Sequence, residues 1–249
     1  MSAKLGPVIA IDGPAGTGKS SATRRLAEAL GFIHVDTGAL YRAVAVLALE
    51  LSGCDPERAS EVAGEIARSA HLEFRRLPNK NPANRIFANG KDLTDFIRTP
   101  EVSMAASRIS AIPEVRAALL GLQRTLGCAG KSILEGRDIG TVVFPDADVK
   151  FFLNASVDER AKRRLIELEA TGVDAPSFEE VRKQIAERDH GDSTRAVAPL
   201  KRAPDAIDVD TSLMTLDQVV SVMETAARKI IAQAFEKSSD KNSGGAGGG

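Results

Sequence analysis

The chain has no tryptophan, a single tyrosine and only 4% aromatic residues in 249. Base-stacking surfaces need aromatics set in a basic groove, and the net charge here is −1, so a nucleic-acid-binding module lacks both components. The same charge balance provides no global field toward an anionic membrane, so attraction for anions has to come from local arginines. Cysteine is scarce as well. Cys54 and Cys128 form no metal-ligand spacing, and they read as reduced thiols of a cytoplasmic protein, with a Cys54–Cys128 pairing left open. The three histidines, His34, His71 and His190, build neither a nucleophile–base pattern nor a metal cluster. No apolar run approaches the ~18 residues of a membrane-crossing helix, and the opening Met1–Leu5 is too short and polar for a targeting segment.

Against these absences stands an ordinary globular balance, 43% apolar and 27% charged, enough for one large domain with a sizeable core. One stretch organises the rest. Gly13, Pro14, Ala15, Gly16, Thr17, Gly18, Lys19 and Ser20 spell G-x-x-x-x-G-K-[ST], directly behind the apolar run Pro7–Ile11 and directly before a helical pattern. Backbone N–H groups of such a turn point into one hollow that holds phosphates, and the helix behind it adds the positive end of its dipole. In this pattern Lys19 reaches the β- and γ-phosphates, and the Ser20 hydroxyl is a ligand for Mg²⁺.

The remaining chain alternates strands and helices. Ser21–Leu30 is an amphipathic helix with Ala22, Leu26, Ala29 and Leu30 on one face and Gly31 as its stop. A short buried strand, 32–35, runs into Asp36-Thr37-Gly38, and a second helix carries Leu40, Ala43, Val44, Leu47, Ala48 and Leu51. Asp55-Pro56 opens a third. From 71 to 98 the period changes to two, with an Asn89-Gly90 hairpin, so a small antiparallel sheet is expected there. Thr99-Pro100 and Ile112-Pro113 open two more helices, the second with Val115, Leu119, Leu122 and Leu126 inward. Residues 132–135 and 149–153 read as central parallel strands, and 206–209 as a last short one. Ser156-x-x-Glu159, Ser177-x-x-Glu180 and Thr215-x-x-Gln218 are capping boxes. The last of these starts a helix with Val219, Val222, Ala226, Ile230 and Ala234 inward. The expected fold is a doubly wound α/β core with five parallel strands, its ligand site at their carboxyl ends. It is followed by a structureless Gly-rich tail over 236–249.

Arginines cluster in three places. Arg188, Asp192 and Arg195 share one face if their helix continues, the carboxylate orienting both guanidinium forks. Arg160 and Arg164 lie one turn apart, a like-charge pair that an anion would relieve, whereas Arg163 has Glu159 and Glu167 to neutralise it. Arg42 is expected in the first turn of its helix, where it opposes the dipole. Arg137-Asp138 leaves a buried strand at the ligand edge of the sheet. With alignment, Mg²⁺ and positive charge, phosphoryl transfer needs no protein nucleophile.

From Val8 to about Ile231 the sequence resembles the bacterial-type cytidylate kinases, phosphate-loop nucleoside monophosphate kinases. The motifs that carry this are Ile11–Ser21, Asp36-Thr37-Gly38-Ala39-Leu40-Tyr41-Arg42, Glu135–Pro145 with its Gly136-Arg137-Asp138, Arg160–Arg164, Glu187–Arg195 and Ala198-Pro199-Leu200. The resemblance implies transfer of the ATP γ-phosphate to CMP or dCMP with Mg²⁺, by a cytoplasmic monomer in pyrimidine nucleotide metabolism. It implies one three-layer domain over 1–235, with a monophosphate-binding region at about 37–128 and a mobile helical lid at about 156–195. It places Gly13–Ser21 and Arg160 at ATP, with Arg163 and Arg164 also toward the donor. Lys19, Arg137, Arg164 and Arg195 become the catalytic cations. CMP falls to Asp36, Thr37, Arg42, Ser107, Arg116, Arg137, Asp138, Arg188, Asp192 and Arg195. Within that set Arg42, Arg137 and Arg195 take the phosphate, Arg188 and Asp192 the ribose, and Ser107, Arg116 and Asp138 the base. Cytosine presents an N4 donor and O2/N3 acceptors, which suit acceptors at Asp138 and Ser107 and a donor at Arg116. The rivals are a kinase of UMP, AMP or a non-nucleotide alcohol, and a regulatory nucleotide switch. The switch lacks its guanine-reading motif, since Asn79-Lys80-Asn81-Pro82 has proline where an acid is required.

Overall fold

The computed structural model describes residues 4–80, 82, 84–169 and 176–243. The elements begin with β1 (Val8–Asp12), α1 (Lys19–Leu30), β2 (Ile33–Asp36), α2 (Thr37–Ser52) and α3 (Pro56–Ser69). Next come β3 (Leu72–Arg76), β4 (Asn84–Ala88), β5 (Lys91–Asp92), α4 (Pro100–Ile109) and α5 (Pro113–Cys128). The chain continues through β6 (Ser132–Gly136), one π-helical turn (Ile139–Val143), β7 (Val149–Asn154), α6 (Val157–Glu169), α7 (Phe178–Thr194), β8 (Ile207–Asp210) and α8 (Leu216–Ser243).

Two compact units result. The first comprises the chain up to Val35, Gly127–Ser193 and the chain from Leu200. It contains the expected five-stranded sheet, in the order β2-β6-β1-β7-β8. The pairs of β1 with β6 and β7, and of β7 with β8, are parallel. Every residue of central β1 is buried, which requires an uninterrupted Val-Ile-Ala-Ile run, and its register aligns Asp12 with Gly136 and Ile11 with Glu135. The core of this unit joins Ile9, Ile11, Leu26, Ile133, Phe151, Leu153, Val219 and Met223. Residues Asp36–Leu126 and Thr194–Pro199 form the second unit. There α2 packs with α3, α4 and the antiparallel β3-β4-β5 sheet. Its hairpin turns at Asn89 and Gly90, both at positive φ (51° and 81°), as an Asn-Gly turn requires.

Several local expectations are corrected. Strand β2 is an edge, not a buried strand; Ile33 is 51% exposed and only Val35 is fully covered. Asp36 caps α2 by accepting the Ala39 N–H at 3.0 Å, so the helix begins at Thr37 and Arg42 stands in its second turn. There the N-terminal dipole has faded, and the electrostatic argument for an anion at Arg42 fades with it. Helix α7 absorbs Gly191 but ends at Thr194, so Arg195 lies beyond it and shares no helical face with Arg188 and Asp192. On α1 the inward positions include Thr23 and Ala27 rather than Ala29, and on α8 Val220, Met223 and Ala227 rather than Val222 and Ala234. The final helix runs on to Ser243, inside the segment expected to be structureless, because an established helix propagates cheaply through Ala, Phe, Glu and Lys. Residues 244–249 of that tail, and 170–175 of the expected lid, lie outside the described residues. Cys54 and Cys128 are not joined by a disulfide. No described helix is long and apolar enough to cross a membrane.

Candidate active site

The glycine-rich turn takes its shape from the sheet beneath it. Gly13 sits at φ +147°, where a Cβ would lie 2.0 Å from the Leu153 carbonyl oxygen of β7, so no side chain fits. Gly16 and Gly18 also hold positive φ (78° and 82°), and Gly18 is the N-cap of α1. Lys19 is buried; its Nζ donates to the Pro14 carbonyl at 2.5 Å and lies 3.4 Å from Thr17 Oγ1. Burial first, then the charge of Arg137, pushes the Lys19 pKa well below the usual lysine range, and Arg188 adds to the effect. Three cations therefore share the neighbourhood of the turn, which is where polyanionic phosphate would stabilise them.

Two acids beside the turn, Glu135 and Asp12, hold their surroundings through hydrogen bonds. Glu135, buried at the end of β6, accepts the Ser20 hydroxyl at 2.7 Å on one oxygen and faces His34 Nε2 at 2.8 Å with the other. Asp12, at the end of β1, accepts the N–H groups of Ile139 and Gly140 at 2.8 and 2.7 Å, closing the amino end of the π-helical turn behind Asp138. Burial raises the Asp12 pKa to about 6; the two N–H donors oppose the shift and the Asp138 charge supports it. An acid at the end of a buried apolar run is the signal that the sequence carries for both. His34 offered none, because its partner is 101 residues away.

Arg137 donates from Nε to Asp192 Oδ2 at 3.0 Å, with Asp192 buried and Arg137 partly exposed. The carboxylate thus orients Arg137, which lies 55 residues away in sequence. Arg160 is not half of a like-charge pair awaiting an anion. It is 2% exposed and donates to the Ala155 carbonyl (3.0 Å), the Ala15 carbonyl of the turn (3.2 Å) and Asp189 Oδ2 (2.6 Å). Arg163 donates to Thr211, whose hydroxyl in turn holds the Thr17 carbonyl at 3.0 Å. Glu167 pairs instead with Arg164, at 3.1 Å on an exposed surface, and Glu159 with Lys162.

Within the second unit Arg42 forms a 2.7 Å ion pair with Asp36, its Nε buried without a hydrogen-bond partner. Gly38 makes room for that guanidinium, since a Cβ there would lie 3.0 Å from Arg42 Nη1. Thr37 is buried beside them. Ser110, unnoticed in the sequence, links three expected residues. Its hydroxyl donates to the Ser107 carbonyl at 2.8 Å and faces Arg195 Nη1 at 3.4 Å, and its carbonyl accepts Arg116 Nη1 at 3.2 Å. Arg116 also lies over the Tyr41 ring, 5.7 Å from its centre, and Arg195 Nε donates to the Ala198 carbonyl at 2.6 Å.

Among the described residues no group of three or more His, Cys, Asp or Glu is placed to cage a metal ion. A hard cation held chiefly by phosphate and water needs only one or two protein oxygens. The Ser20 hydroxyl, its proton committed to Glu135, keeps its lone pairs for such an ion.

The profile of the cytidylate kinase family matches residues 9–229. A cytidylate kinase of Geobacter sulfurreducens is 50% identical over 226 residues, 91% of this chain and 94% of that protein. One of Citrifermentans bemidjiense is 47% identical over 228 residues, covering 92% and 95%. A bifunctional pantoate ligase/cytidylate kinase of Synechocystis is 49% identical over 218 residues, 87% of this chain but 42% of that longer protein. The matched range includes the glycine turn, the Arg137-Asp138 corner and both arginine-bearing helices, and the chain belongs to the cytidylate kinase family.

Proposed function

We propose that the chain transfers the γ-phosphate of ATP to CMP or dCMP, giving ADP and CDP or dCDP. The observation that carries this reading is the gathering of Lys19, Arg137 and Arg188 around the glycine turn in a chain of this family. The turn's amides, Gly13 to Ser21, hold the donor phosphates, with Lys19 on the β/γ oxygens. Ser20 would hold magnesium on the protein side, and the ion would supply charge neutralisation to the phosphates. Arg137, Arg164 and Arg195 stabilise the charge that spreads over the transferring group. The phosphate of CMP is itself the nucleophile, so the protein needs only to align it, through Arg42, Arg137 and Arg195, and to exclude water as competing acceptor. Exclusion falls to the lid, about 156–195, closing over the donor. Asp36 and Thr37 support the acceptor side, Arg188 and Asp192 hold the ribose, and Ser107, Arg116 and Asp138 read cytosine. The same reading takes the enzyme as a cytoplasmic monomer that uses no nucleic acid.

The test is ADP formation from ATP and Mg²⁺ with CMP, dCMP, UMP and AMP offered separately. Strong preference for the two cytidine acceptors is expected, and equal rates with AMP would sink the proposal. Asp138→Asn can present a donor to N4, so the CMP-to-UMP preference should fall by about 1–3 kcal/mol. An unchanged ratio removes Asp138 from base reading.

A further inference from the structure

We propose that His34 is a positioning residue for the magnesium-binding serine, acting through Glu135. The inference deepens the proposed function and rests on its reading of Ser20 as the metal ligand.

His34 stands on edge strand β2, next to β6 in the sheet, and reaches across to Glu135 at the end of that neighbour. The Glu135 side chain is 5% exposed and His34 20% exposed. The carboxylate is engaged on both oxygens: His34 Nε2 at 2.8 Å from Oε1, and the Ser20 hydroxyl at 2.7 Å from Oε2. A carboxylate offers lone pairs only, so the facing Nε2 carries the proton. This bond fixes the terminal torsion of Glu135, which is soft in the absence of a partner, and keeps Oε2 turned toward Ser20.

The consequence for Ser20 follows from the inventory of a hydroxyl, one proton and two acceptor lone pairs. While the proton points at Glu135, both lone pairs face away from the carboxylate, available to a cation. If Glu135 rotates, that proton is released and the oxygen loses its preset orientation. The chain His34–Glu135–Ser20 therefore extends the support of the metal site by one residue, in the manner of outer partners that orient a ligand without touching the ion. In this reading His34 acts on the metal site through Glu135.

The experiment measures binding of the β,γ-imido analogue of ATP to the full chain by calorimetry, in EDTA and in excess Mg²⁺, for wild type, His34→Leu and His34→Gln. Wild type should bind more tightly with Mg²⁺. His34→Leu should match wild type within about twofold in EDTA yet lose about tenfold of the magnesium-dependent gain. Half-saturating Mg²⁺ for turnover should rise in parallel, with the KM for CMP unchanged. His34→Gln, whose amide can donate to the same Glu135 oxygen, should recover most of the gain. His34→Val, suited to a strand, replaces leucine if His34→Leu lowers the Tm. A magnesium gain retained in both apolar variants overturns the inference and leaves the Ser20 reading standing. Equal weakening with and without Mg²⁺ also overturns it, because His34 would then act on the shape of the turn. A wild type with no magnesium gain overturns the reading of Ser20 and the inference together.

Discussion

Arg137 Nε and Asp192 Oδ2 lie 3.0 Å apart, across 55 residues of sequence. The pair holds a guanidinium that leaves β6 at the carboxyl edge of the sheet, and it does so from helix α7. Asp192→Ala should keep the arginine but release its orientation, and it also removes the ribose contact proposed for Asp192. We expect kcat/KM for CMP to fall about 10–100-fold, the scale of a misplaced positioning group. Asp192→Asn, which keeps an acceptor, should fall less. Steady-state kinetics with varied CMP measure this; equal losses in both variants would assign the effect to charge rather than to aim.

Arg160 is a structural tie before it is anything else. Arg160→Met conserves bulk but leaves the partly buried Ala15 carbonyl and the buried Ala155 carbonyl without this donor and Asp189 without its cation. A loss of about 3 kcal/mol in unfolding free energy is expected. Denaturant midpoints at constant m check it. A loss within about 0.5 kcal/mol, the range of ordinary surface changes, would return Arg160 to a ligand contact alone.

The glycines of the turn should separate by cause. Gly13→Ala drives a methyl into the Leu153 carbonyl, backbone that cannot yield, and should abolish stable folding or nucleotide binding. Gly18→Ala meets nothing within 4 Å and should cost only its left-handed φ, about 1–2 kcal/mol. Thermal unfolding and ATP-analogue titration of the two variants measure the contrast.

Asp12 gives stability a pH dependence of definite sign. Its folded pKa, about 6, lies above the ordinary 3.8, so the folded state holds the proton more tightly than the unfolded chain. The contribution is full below pH 3.8 and is lost as pH rises through about 6. Between pH 4 and 7 the stability of wild type relative to Asp12→Asn should therefore drop by roughly 2–3 kcal/mol. Urea unfolding across that range checks it, and a flat difference would place the Asp12 pKa near its unfolded value.

The sheet, the inserted hairpin and most helix starts were legible because each rests on local chemistry. The uninterrupted apolar run before Gly13, the Asn89-Gly90 pair, and Asp55, Thr99, Ser177 and Thr215 as caps all act within a few residues. Errors arose where a distant partner decides. Helical spacing extends the face of Arg188 and Asp192 to Arg195, whereas the helix stops before Arg195 and Asp192 also takes Arg137, 55 residues away in sequence. Charge spacing set Arg160 against Arg164, whereas Asp189, 29 residues on, takes Arg160. Inward faces on α8 were misjudged because a helical stripe leaves its rotation free by a residue until a neighbour fixes it. His34 and Ser110 carry no local mark. The partner of His34 comes from a neighbouring strand, and Ser110 adds to its local links with Ser107 and Arg116 a contact to Arg195 that only the fold supplies.

The contacts of Arg160 also bear on how such a chain can drift. Two of its three partners, at positions 15 and 155, are main-chain oxygens, which every amino acid supplies. The third is the side chain of Asp189. Positions 15 and 155 are thus free to change identity without disturbing the tie, while positions 160 and 189 are bound to change together. Among relatives, the memory of this link should be written in a single correlated pair, with its other two anchor points silent.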